Sequence, residues 1–99
     1  MHVLQQKQNR LVLYRRRMGF TQKDVARLLG QHDTSMISHY EHGRSLPPLP
    51  VALSLEIILR VPVAFLFPGM YDEIKLRIRK QEQELAGVGP GELFGGPPT

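Results

Sequence analysis

Cysteine is absent from the 99 residues, so the chain has no disulfide framework and no thiolate metal site, which suits a reducing compartment. No apolar run reaches the roughly 18 residues needed to span a bilayer, and the first ten residues, MHVLQQKQNR, lack the apolar stretch of a secretory signal. These absences lead to the expectation of a cytoplasmic protein with no membrane contact. Acidic residues are scarce in the first third: residues 1–30 hold only Asp24 against Lys7, Arg10, Arg15, Arg16, Arg17, Lys23 and Arg27. Residues 71–99 nearly balance, with four basic and five acidic side chains, so the formal charge of +4 is concentrated at the start of the chain. Such a field attracts a polyanion. No nucleophile and base arrangement and no phosphate-cradling glycine loop occurs, which argues against an enzyme and gives no reason to expect a cofactor.

What is present reads as helix throughout. A length of 99 residues with 41% hydrophobic content supports one modest core. Val3 to Met18 contains neither proline nor glycine, and Leu4, Leu11, Tyr14 and Met18 recur near one face. That periodicity predicts a first helix over about 5–18, stopped by Gly19. Thr21 and Asp24 form a capping pair for a second helix in which Val25, Leu28 and Leu29 face inward, Ala26 lets a neighbour approach, and Gly30 ends the element. Asp33 is the expected N-cap of a third helix over 34–41. Its inward residues are Ile37 and Tyr40, which leaves Thr34, Ser35, Ser38, His39 and part of Met36 outside. Met36 is assigned chiefly to the core.

Gly43 and the proline-rich 44–50 separate this unit from an apolar helix, VALSLEIIL, expected to be the most buried element. Pro62 opens a short helix through Phe67, with Phe65, Leu66 and Phe67 closing the core. Pro68 and Gly69 mark a boundary. Residues 70–86 are rich in helix formers and place Tyr71, Ile74 and Ile78 on one stripe, which either packs back on the domain or meets a partner. Residues 87–99, rich in glycine and proline, are expected to be disordered. His39, Glu41 and His42 lie close in sequence, yet too few ligands converge for zinc, and groove-facing or solvated histidines are the expectation.

NRLVLYRRRMGFTQKDVARLLG, then MISHYEHGR, then the apolar run and VPVAFLFPG resemble the Xre family, the Cro and phage-repressor type of helix-turn-helix, over about residues 9–69. The resemblance implies an all-α fold, a five-helix lambda-repressor-like DNA-binding domain over 1–69; beyond it, the residues themselves suggest the additional helix at 70–86, serving packing or dimerisation. The resemblance also implies sequence-specific binding of double-stranded DNA by a transcriptional regulator, a repressor in the commoner case, acting as a homodimer with helix 34–41 in the major groove. By position, Gln22 matches a glutamine that bonds phosphate and braces the recognition helix. Thr34, Ser35 and His39 match positions facing base edges; Ser38, Arg44 and Lys23 match backbone-contacting ones. Arg15 matches an arginine that meets a glutamate, here Glu41. The turn between Gly30 and Ile37 is one residue longer than the commonest pattern, and the groove face lacks the Gln, Asn or Arg of bidentate base contacts. An antitoxin-like or adaptor protein, working through protein contacts at 70–86, is the competing reading.

Overall fold

Asn9 bonds on both sides just ahead of the first described helix: its Oδ1 accepts from the Leu11 amide at 3.1 Å while its Nδ2 donates to the Tyr40 carbonyl at 3.0 Å. The computed structural model describes residues 9–87, within which there are six helices and no strand. The first, α1, spans Leu11–Arg17. It begins later than the periodicity suggests because the Arg10 amide is drawn to the Leu66 carbonyl, 2.8 Å away, which holds this segment off the helix axis. Residues 5–8 of the expected first helix lie outside the described residues.

Helix α2 spans Gln22–Leu28 and α3 spans Ser35–Glu41. The capping pair of α2 forms as expected, with the Asp24 amide donating to Thr21 Oγ1 at 3.0 Å and the Thr21 amide donating to Asp24 Oδ2 at 2.8 Å. The Thr21 amide foremost, and the Thr21 hydroxyl after it, hold the Asp24 carboxyl below its ordinary range. At α3 the expectation is displaced by one residue. Asp33 Oδ1 accepts from the Ser35 amide at 2.9 Å, and Thr34, expected as the first helical residue, stays outside the helix. The lone side-chain acceptor sits one position earlier than a regular cap because the lengthened turn gives the chain an Asx bend before the helix winds.

The three helices end alike. Phe20, Gln31 and Arg44 donate their amides back to the carbonyls of Arg15, Ala26 and His39, and Gly19, Gly30 and Gly43 donate to Arg16, Arg27 and Tyr40. This paired pattern needs a left-handed residue just past the helix, and the glycines supply it with φ of +76°, +78° and +72°. Three tight stops in succession are what fold α1, α2 and α3 back on one another within 33 residues or so.

Helix α4, Leu49–Leu59, starts behind Pro48 and carries Pro50 in its first turn. A short α5, Val63–Leu66, follows, its first amide accepted by Glu56 Oε1 at 3.0 Å. Pro62 sits just before this helix in an extended conformation rather than inside it. The core joins Leu11 of α1, Val25 of α2, Ile37 and Tyr40 of α3, Leu55 and Leu59 of α4, Val61, and Leu66 with Phe67. Three expected core residues face out. Leu28 is 56% exposed and Phe65 55%, while Met36 is 42% exposed. In each case the buried arc of the helix is narrow, and a neighbour takes the inward place: Ala26 and Leu29 in α2, Leu66 in α5, Ile37 in α3. Helix α4 is likewise less buried than its composition suggests. Ala52, Leu55 and Leu59 are inside, yet Leu49, Leu53 and Ile57 are exposed, since a domain this small has one core layer and cannot cover a helix that is apolar all round.

The last helix, α6, spans Pro68–Ala86, so Pro68 and Gly69 form its first turn, proline being suited to the first helical position. It buries none of its residues and meets the rest of the fold at its start, through α5 and through Met70 packed against the core. The expectation of disorder concerns residues that, beyond Gly87, lie outside the described ones. No helix among the described residues is long and apolar enough to cross a membrane.

Candidate nucleic-acid interface

The guanidinium of Arg15, at the end of α1, joins three elements. Nε donates to Glu41 Oε2 at 2.5 Å and Nη2 to Glu41 Oε1 at 3.3 Å, while Nη1 donates to the Phe20 carbonyl at 3.0 Å. Gln22, the first residue of α2, completes the set by donating from Nε2 to Glu41 Oε1 at 2.8 Å. The carboxylate of Glu41 is only 3% exposed and the Arg15 side chain 12%, so both charges are largely desolvated and each relies on the other. With the Asn9 bond to Tyr40, this network pins the last turn of α3 against α1 and the start of α2. The sequence-predicted partnership of Arg15 and Glu41 is therefore present. Gln22 braces α3 directly with one Nε2 hydrogen, which leaves the second as a donor.

Pinning the inner face defines the outer one. At 100° per residue, Ile37, Tyr40 and Glu41 share one side of α3, and Ser35, Ser38, His39 and His42 fall on the other, with Met36 at its edge. Ser35, Met36, His39 and His42 are exposed, and Ser38 and Thr34 are half-buried. His42 reads from the sequence as groove-facing or solvated and stays out of the expected DNA-binding residues because it follows the helix, where fraying is the default. Its spacing of 35, 38, 39 and 42 was the available signal. The ring is fixed: Nδ1 lies 2.8 Å from the Ser38 carbonyl and 3.4 Å from Ser38 Oγ. A nitrogen facing a carbonyl donates, so Nδ1 carries a hydrogen and Nε2 is the ring nitrogen left outside this contact. Met36 adds an apolar edge to this polar strip.

Around the strip the cations divide. Arg15 is neutralised by Glu41 and adds nothing to the outer field, whereas Arg16, Arg17, Lys23, Arg27 and Arg44 are exposed. Arg17 lies over the Tyr14 ring, 5.4 Å from its centroid. Lys23 and Arg44 have no ion-pair partner among the described residues. His39 and His42 do not share a site with Glu41, whose carboxylate is turned inward, and no group of three His, Asp or Glu residues able to hold a metal ion occurs among the described residues.

Two short helices joined by a tight turn, the second locked on its inner side and open on its outer one, form a helix-turn-helix. The family model described as Helix-turn-helix matches residues 11–66, from the first residue of α1 to the last of α5. The chain matches no curated protein and no solved structure. The match covers more than half of the chain and all of its core but Phe67, and the chain belongs to the helix-turn-helix family of Xre and lambda-repressor type, a family of DNA-binding regulators.

Proposed function

We propose that the protein is a transcriptional repressor that binds double-stranded DNA sequence-specifically as a homodimer, laying α3 in the major groove of each half-site. The observation that carries this reading is the division of α3 into an inner side pinned by Arg15 and Gln22 and an outer side of polar groups turned to solvent, whose side-chain hydrogen bonds stay between Ser38 and His42. Thr34, Ser35 and His39 face base edges, joined by Nε2 of His42. Met36 supplies apolar contact for a thymine methyl. Gln22, Lys23, Ser38 and Arg44 take the sugar-phosphate backbone, where cations and amide groups set register without reading sequence.

Phosphate contact has a measurable signature, because each neutralised phosphate releases counterions. Duplex affinity followed against salt concentration is expected to fall as a straight line on logarithmic axes, with Lys23→Ala and Arg44→Ala each lowering the slope by about 1. A flat salt response contradicts duplex binding and favours an adaptor acting through protein contacts. The unburied α6 is the observation on that side.

A further inference from the structure

Helix α6 is 19 residues long, about 28 Å at ~1.5 Å per residue, and none of it is buried. Tyr71, Ile74, Ile78, Gln81 and Leu85 recur along it at intervals of three, four, three and four, the spacing that keeps side chains on one seam of a two-helix coil. Depressions in the surface follow that seam; one is bordered by Ile74, Arg77, Ile78, Gln81, Glu82 and Leu85. Both flanking rows change sign along the helix, from Lys75 to Glu82 on one side and from Arg77 to Glu84 on the other.

We propose that α6 pairs antiparallel with α6 of a second copy of this chain, and that this is the dimer surface of the homodimer invoked above, on which the inference rests. A two-fold axis near residues 79–80 sets Lys75 opposite Glu82 of the second copy and Arg77 opposite its Glu84, four attractive pairs in all. The same register places Ile74 on Leu85 and Ile78 on Gln81. A parallel pair aligns only Arg77 with Glu82, and it stacks Gln81 on Gln81 in the seam. The charge sequence is thus self-complementary when reversed, which selects a second copy over a partner of unrelated sequence. The core does not depend on this face, so substitutions on it leave the helix-turn-helix intact.

The test uses the full chain without DNA. Since the protein has no cysteine, Ile74→Cys and Leu85→Cys each introduce a single thiol. Mixed and oxidised, the two variants are expected to form the 74–85 disulfide, with little 74–74 or 85–85 product. In sedimentation, Ile78→Asp is expected to lose the dimer with an unchanged thermal melt. Arg77→Glu and Glu84→Arg each lose it too, and combining them restores it. Cross-links at 74–74 and 85–85 overturn the antiparallel pairing. An Ile78→Asp protein that stays dimeric overturns the α6 surface while leaving the homodimer standing, and points to the exposed Leu49, Leu53 and Ile57 face of α4. A native chain that stays monomeric overturns the homodimer itself.

Discussion

Replacing Arg15 by alanine is expected to lower the unfolding free energy by about 3–5 kcal/mol, the loss typical when one partner of a buried ion pair is removed. The reason lies in what remains. Glu41, 3% exposed, keeps one hydrogen bond from Gln22 but loses the guanidinium that offset its desolvation, and the Phe20 carbonyl loses its donor. Against a total stability of about 5–15 kcal/mol for a domain, such a loss removes a large fraction of the folded state's margin. Lysine is not expected to rescue, because an ammonium cannot span three acceptors on two elements as the planar guanidinium does. Urea denaturation measures the effect. An Arg15→Ala protein of unchanged stability and weakened duplex affinity contradicts the structural role and makes Arg15 a DNA contact.

Leu55→Ala is expected to cost about 2–5 kcal/mol, whereas Leu53→Ala, two residues away on the same helix, is expected to change stability by no more than about 0.5 kcal/mol. Leu55 is fully enclosed where α4 meets the core, and its truncation leaves a cavity that the pinned α1 and α3 cannot collapse into. Leu53 is 48% exposed. Thermal melts of the two variants decide the matter, and equal losses contradict the one-layer core described above.

The contrast between these leucines shows where the sequence was legible. Helix ends were, because their signals are local: Thr21 with Asp24, and the glycines at 19, 30 and 43, act through bonds to their own neighbours. Helix faces were less so. In α4 nearly every position is apolar, so periodicity carries no direction, and only the neighbouring helices decide that Leu55 is inside and Leu53 outside. Leu28, Met36 and Phe65 failed for the same reason, each standing at the edge of an arc that one smaller or better-placed residue fills. The late start of α1 could not be read at all, since it depends on Leu66, more than fifty residues on.

The site divides along the same line. Arg15 and Glu41 were legible through the family resemblance, and their geometry then explained the brace that Gln22 provides. For His42 the sequence leaves groove-facing and solvated open, because its place on the outer face depends on a ring fixed against the Ser38 carbonyl rather than on helix propensity.

The central claim is that the outer face of α3 reads DNA sequence. Selection of bound duplexes from a random pool, run in parallel with the native chain and with His39→Ala, tests it most directly. The account predicts that the native chain enriches a palindrome whose half-sites are centred about 10 base pairs apart, and that His39→Ala relaxes preference at one position of each half-site while still binding DNA. No enriched sequence from the native chain, or an identical one from His39→Ala and from a Ser35→Ala control, would contradict it.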